Sequence, residues 1–408
     1  MLQIPFAASS YLKIFGTIYL FGLEGAGVTG IAISILFLFT ITSGLINNQA
    51  LQVIFINENS TNKVALTTGF IQVLVINGLL ATIIASISIN SIFELTPLLL
   101  LVFIAAIWSS LYNALFEFHA VVSAKPDLIM IGHTFGSFVF LALLVSIREE
   151  PSSSPLLFVV PAIANVAVGV AFFVISKIDS ITLSYNNTYG WYSLEPLRVY
   201  FKYFKKVWRF AMIPVAQGVC DYIIRQLLVI NNGFSSVGFL QLIQSLDALV
   251  GNIFAAPVLR KSLFYFSTTP DILFSAFRFF YVNLAVPVIL LLITLPVLAY
   301  FVAYAPEYYY EKIELMIEGQ ILIYIFLGSK LLNLLWGLCA QLLLSDGRND
   351  YVATIELGSR ALLVILFCIF YYSVEQSVGA YVYGYGLLWV LLLPLCLITI
   401  LRNTSHKV

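Results

Sequence analysis

The chain is a succession of long apolar runs separated by short polar breaks, and this pattern leaves few folds open. A helix needs roughly 20 mostly apolar residues to cross the hydrocarbon core of a bilayer. Twelve segments meet that requirement: 4–22, 28–55, 65–90, 97–122, 127–147, 155–176, 207–230, 236–259, 275–304, 316–344, 351–373 and 378–401. The breaks are brief, as at Glu24-Gly25, Asn57 to Lys63, Arg148 to Pro155 and Asp346 to Asp350. A lipid-exposed strand edge would leave backbone groups unsatisfied, so segments of this kind are helices. Composition agrees, since 61% of the residues are hydrophobic and 10% charged, against about half and a quarter in soluble domains. The expected fold is an all-α polytopic membrane protein of about twelve transmembrane helices. The apolar start at 4–23 lacks a basic leader and runs into a second apolar segment, which is the pattern of a first span rather than a cleaved signal.

Basic residues set the expected orientation. With the N-terminus in the cytoplasm, fourteen Lys and Arg fall on cytoplasmic loops and flanks, from Lys63 and Lys125 to Arg402 and Lys407. Only Arg148 and Lys312 fall on the opposite side. Both termini are therefore expected in the cytoplasm. Twenty basic and twenty acidic residues cancel over the whole chain, so net charge points neither to nucleic acid nor to an acidic partner.

The longest hydrophilic stretch, 177–206, is basic and aromatic, with Tyr185, Tyr189, Trp191, Tyr192 and Tyr200 among its lysines. Such a segment lies along the cytoplasmic headgroups, anchored by its aromatics and by anionic lipid. It divides the chain into an N-terminal six-helix bundle (1–176), a linker (177–206) and a C-terminal six-helix bundle (207–408). A G-x4-G pattern from Gly25 to Gly30 is echoed by Gly233 to Gly238 at the same place in the second half. Glycine marks any tight turn, but this placement favours duplicated halves, a common transporter plan.

Polar residues inside spans are costly and are candidates for function. Arg225 sits mid-span with Asp221 four residues earlier. The two form either a self-neutralising helical pair or a guanidinium turned to a cavity to hold phosphate bidentately. Lys330 has no acid within four residues along its helix and is the second candidate for an anionic substrate. Lys13 and Arg360 lie nearer span ends, where snorkelling to headgroups is the simpler reading. Asp221, Asp247, Glu117 and Glu356 are candidates for ion coupling, with the Glu356–Arg360 spacing offering a structural alternative. His119 and His133 read as solvated interfacial histidines. Asn47, Asn48, Gln241 and Gln244 are candidates to contact sugar hydroxyls, or to tie helices together.

No enzyme motif is present. The sequence has no G-x-x-x-x-G-K-[ST] and no H-E-x-x-H. Cys220, Cys339, Cys368 and Cys396 all lie in apolar segments without a C-x-x-C pair, so neither a disulfide framework, a metal site nor a cofactor is expected.

Residues 207–259, in which Arg225 precedes a short turn and Val237-Gly238 opens a helix carrying Gln241, resemble the start of the second half of Wzx-type O-antigen translocases. These are flippases of the multidrug/oligosaccharidyl-lipid/polysaccharide exporter superfamily. Residues 22–59, with the stretch from Gly44 to Asn48, are similar to the same family's first hairpin, and Lys330 and Glu356 to its tenth and eleventh helices. The chain departs from the family in lacking a longer N-terminal lead-in and a basic residue after the asparagines. The resemblance implies two six-helix bundles around a V-shaped cavity. It implies as substrate an undecaprenyl-diphosphate-linked oligosaccharide, flipped from the cytoplasmic to the periplasmic leaflet of the bacterial inner membrane. Membrane lipid and other polysaccharide-assembly membrane proteins are the partners it suggests. The competing readings are a drug or metabolite antiporter of the same superfamily, which would favour an anionic cavity, and a membrane polysaccharide polymerase, which needs a sizeable catalytic loop, whereas the longest loop here lacks a carboxylate pair. A purely structural membrane scaffold is disfavoured by the centred charges.

Overall fold

The computed structural model describes residues 3–44, 60–93, 96–122, 125, 127–178, 193–249, 319–345 and 348–405. Every described element of secondary structure is a helix: α1 (Gln3–Gly44), α2 (Ser60–Phe93), α3 (Pro97–Val122), α4 (Asp127–Ser146), α5 (Pro155–Ile178), α6 (Glu195–Leu249), α7 (Gln320–Ser345), α8 (Asn349–Ser373) and α9 (Val378–Ser405). All nine are long and apolar enough to cross a membrane. The chain is a multi-pass membrane protein. Eleven of the expected spans fall wholly or mostly on these helices, while 275–304 and the parts 45–55, 250–259 and 316–318 of three others lie outside the described residues.

Two of the helices are interrupted, one between the expected spans 207–230 and 236–259 and the other at the last residue of the expected span 4–22. In α1 the interruption is Gly22 (φ 69°, ψ −169°), and in α6 it is Gly233 (φ 75°, ψ −179°). Both φ values lie in the region that glycine enters without steric cost. One sequence offset relates Gly22 to Gly233, Gly27 to Gly238 and Ser34 to Ser245. The two serines make the same bond, Oγ donating to the carbonyl four residues earlier: Gly30 at 2.9 Å and Gln241 at 2.6 Å. The repeat is therefore real, but its register differs from the expected one. Gly22, not Gly25, is the counterpart of Gly233, because the left-handed residue fixes the equivalence and a glycine count does not.

The helices pack into two compact units: Met1–Lys13 with Val28–Tyr222, and Ile14–Gly27 with Ile223–Val408. In the first, α5 packs on both α3 and α4, and α2 on α3. Phe116 stacks on Phe172 with centroids 4.3 Å apart, and Phe103 on Phe158 at 5.2 Å. Leu66, Phe70, Leu74, Leu111, Leu115 and Phe118 form a second cluster with Tyr200, Tyr203 and Val207. Outer faces carry Leu79, Leu80, Ile83 and Ile84 on α2 and Phe135, Phe138 and Val145 on α4, all exposed. Exposed apolar ridges of this extent suit lipid as the solvent.

In the second unit, α9 packs on both α7 and α8. Residues 14–27 join residues 223–249 through a reciprocal backbone approach. A Cβ on Gly27 would lie 1.8 Å from the carbonyl oxygen of Phe234, and one on Gly238 would lie 1.9 Å from that of Leu23. Small residues at a crossing let helix backbones meet, which substitutes in a membrane for the missing hydrophobic drive. Gly27→Ala and Gly238→Ala should each lower the stability of the detergent-solubilised protein, by about 1–3 kcal/mol from overpacking. Gly358→Ala, where nothing lies within 4 Å of the added carbon, should instead stabilise α8 by about 0.5–1 kcal/mol. Thermal unfolding of the three variants beside the parent checks both signs.

Candidate functional site

The second unit holds an arginine inside a span. Arg225 lies eight residues before the Gly233 break and Gln241 eight residues after it, so the turn brings them to one height on antiparallel segments. The Arg225 side chain is buried at 7% exposure. One terminal guanidinium nitrogen donates to Gln244 Oε1 at 2.6 Å and the other to Gln241 Oε1 at 3.4 Å. Gln241 and Gln244 are three residues apart, hence neighbours on one helix face. Two amides, neighbours on one helix face, thus hold the guanidinium in a fixed orientation. The sequence reading gave these three residues separate tasks, and the structure makes them one cluster. Asp221 lies one turn before Arg225 on α6, partly exposed. The side chain of Asp247, in the last turn of α6, and all of Asn47 and Asn48 lie outside the described residues.

Lys330 is half-buried on α7. One turn further on, Asn333 Nδ2 donates to the Tyr385 hydroxyl at 2.7 Å. Tyr385 continues an aromatic row along α9, stacked on Tyr381 at 6.0 Å and edge-on to Trp389 at 6.0 Å. Phe326 closes against Tyr385 at 4.9 Å. Asn333, Tyr385 and this row were not read from the sequence, although Tyr381, Tyr385 and Trp389 share one helix face by their spacing of four.

Glu356 accepts a 2.6 Å bond from the indole Nε1 of Trp336 and lies 3.9 Å from an Arg360 guanidinium nitrogen. Trp336 is 1% exposed, so its N–H has to find an acceptor inside the protein. Arg360, expected to snorkel, is half-buried beside that carboxylate.

The first unit contains a cavity of about 260 Å³. Its wall includes Lys13, Phe37, Ser110, His133, Phe140 and Asn165. Lys13, expected at a headgroup, lines this space instead, because α1 continues beyond it on both sides as helix. His133 Nε2 lies 2.8 Å from Glu117 Oε1, and its ring meets Phe172 edge-on at 5.5 Å. His119 is 7% exposed. The expectation of a solvated histidine is thus corrected for His119, while His133 is a third exposed and engaged by Glu117. Glu117 and His133 sit eight residues either side of Lys125, at equal distance from the turn between α3 and α4. That spacing is the signal the sequence offered. In the cavity wall, Asn165 Nδ2 donates to the Ala106 carbonyl at 2.9 Å and to Ser110 Oγ, while Asn113 Nδ2 donates to Asn165 Oδ1 at 3.1 Å. Among the described residues no group of three or more His, Cys, Asp or Glu is placed to hold a metal ion.

Against solved structures, the chain superposes along almost its whole length on membrane transporters. The lipid II flippase MurJ in an inward closed conformation matches with a TM-score of 0.71 at 12% identity, covering 98% of this chain and 87% of that one. An inward-facing multidrug resistance MATE family transporter of the MOP superfamily matches with a TM-score of 0.67 at 12% identity, covering 99% and 95%. The fold is that of the MATE and MurJ transporters. The MATE multidrug transporter DinF-BH matches with a TM-score of 0.64 at 15% identity, covering 98% and 94%. No protein-family model matches the sequence, and no curated protein sequence matches it significantly. At these identities the likeness carries the fold, which is the expected all-helical, two-bundle, twelve-helix class. The neighbours are transporters and flippases rather than enzymes.

The packing of Glu356 against Trp336 gives a test of its role. Glu356→Gln keeps an oxygen acceptor for the indole, whereas Glu356→Leu leaves the buried N–H unsatisfied at a cost of about 1–3 kcal/mol. The leucine variant should melt well below the glutamine variant. A glutamine variant that folds normally yet has lost all activity would show that Glu356 has an ion-coupling role beyond packing.

Proposed function

We propose that this protein is a flippase that moves an undecaprenyl-diphosphate-linked oligosaccharide, an O-antigen repeat unit or a similar glycan, from the cytoplasmic to the periplasmic leaflet by alternating access. The observation that carries the reading is Arg225: a buried arginine inside a span, with its guanidinium held in place by Gln241 and Gln244. A guanidinium is always charged and its donors match phosphate oxygens in pairs. A charge retained in a membrane segment has a role that repays its desolvation. The lipid II flippase among the fold neighbours handles a lipid-linked substrate by its name, which supports the same class here. Lys330 is assigned to the diphosphate beside Arg225. The aromatic row of α9 and the amides Asn47, Asn48, Gln241 and Gln244 are assigned to the glycan. Asp221, Asp247 and Glu356 are the groups assigned to ion coupling. The protein acts in the bacterial inner membrane, with both termini cytoplasmic.

The second reading is export of a drug, favoured by the multidrug transporters among the fold neighbours, DinF-BH included. A cationic compound gains nothing from Arg225, which makes this the weaker reading.

Deletion of the gene should remove surface polysaccharide and leave lipid-linked repeat units inside the cell. Complementation with Arg225→Ala should restore at least tenfold less polymer than the parent, from the loss of about 1.5–3 kcal/mol in charged hydrogen bonds. Arg225→Lys, which keeps the charge but not the fork, should fall between. Immunoblots of the membrane fraction confirm that each variant is inserted. Unchanged polymer in Arg225→Ala and in Lys330→Ala would overturn the assignment of the diphosphate site, and an unchanged surface in the deletion strain would overturn the flippase reading.

A further inference from the structure

Helix α6 is too long for the membrane it crosses. From Glu195 to the break at Gly233 it stays helical, with Pro214 inside it. At 1.5 Å per residue this is about 57 Å, nearly twice the hydrocarbon thickness of about 30 Å. The excess falls at the N-terminal end, where the charges gather, because residues 210–230 carry no charged side chain apart from Asp221 and Arg225.

That end has two unlike faces. Pro196, Tyr200, Tyr203 and Val207, spaced by four, three and four, are buried on one side. They seat against α2, where a Cβ on Gly69 would lie 2.3 Å from the Pro196 carbonyl oxygen. Gln72 Nε2 donates to the Ser193 carbonyl at 3.1 Å, fixing the start of the segment. The other side displays Arg198, Lys202, Lys205 and Lys206 in the open, together with Phe201 (54% exposed) and Trp208 (46% exposed). Arg209 stacks its guanidinium over the Trp208 ring at 5.7 Å, and Lys206 sits over Tyr203 at 5.3 Å. From 195 to 209 the sequence has one acid, Glu195, at the first residue of the helix. A rigid, docked helix face that joins exposed cations to exposed aromatics has the chemistry of a membrane headgroup layer, where aromatic rings enter the interface and cations meet phosphates.

We propose that this face of α6, built from Arg198, Phe201, Lys202, Lys205, Lys206 and Trp208, is a binding surface for anionic phospholipid headgroups. The docked side holds the face rigid, so the cations bind lipid without first being ordered. The lipid fixes how deep the helix sits, and with it the height of the buried stretch that follows. This inference is independent of which substrate the protein moves.

The test uses the full chain in phosphatidylcholine nanodiscs carrying a minor fraction of dibrominated phosphatidylglycerol or of dibrominated phosphatidylcholine. Quenching of Trp208 is isolated by subtracting the signal of Trp208→Phe from that of the parent. Brominated phosphatidylglycerol should quench Trp208 severalfold more than brominated phosphatidylcholine. The preference should disappear in the triple variant K202Q/K205Q/K206Q. It should also fall in molar salt, where screening acts within about 3 Å, and this arm stands if the triple variant fails to fold. Equal quenching by the two lipids would overturn the proposal. So would quenching by neither, which would place another protein segment or partner on the face, and so would a preference indifferent to both salt and the triple substitution.

Discussion

A polar group carried into hydrocarbon has no water to fall back on, and the rest of this structure follows from that constraint. It makes every described element a helix, since only a helix satisfies its backbone within a single segment. It also governs the side chains. Arg225 leans on two glutamines, Glu356 takes the Trp336 indole, Glu117 takes His133, and Asn165 is bonded from three sides by Ala106, Ser110 and Asn113. Each of these groups would be unremarkable in water. Inside the spans each is answered by a partner, and that partner decides what the group is able to do.

The pairs arise from a simple geometry. Two antiparallel helices joined by a tight turn bring residues equally distant from the turn to the same depth. Arg225 and Gln241 are placed this way about Gly233, and Glu117 and His133 about Lys125. Where helices must cross rather than run side by side, glycine removes the side chain altogether, as at Gly27 and Gly238. The left-handed glycines at 22 and 233 perform the same task in both repeats, so one device serves each half of the chain.

The arrangement separates two roles that look alike on paper. Arg225 and Arg360 are both arginines inside spans with an acid four residues earlier. Arg360 keeps that acid at 3.9 Å, while the acid is itself committed to Trp336, and the cluster binds α7 to α8. Arg225 is instead bonded to Gln241 and Gln244 across the Gly233 turn. The MATE and MurJ transporters share this fold.

The sequence by itself determined the solvent, the secondary structure and the approximate spans. Those follow from local apolarity over about 20 residues, a property no distant contact can alter. It also nominated Arg225, Gln241, Gln244 and Glu356, because polar residues in apolar runs are conspicuous. Apart from the Glu356–Arg360 pair, which the spacing of four already offered, tertiary structure decided their partners. The register of the repeat turned on the φ angle of Gly22, which the neighbouring Gly25 conceals in the sequence. The burial of His119, the pairing of His133 and the cavity position of Lys13 depended on which face of each helix meets another. Periodicity is weak in spans that are apolar all round, so the faces are not written in the sequence, and packing chooses them.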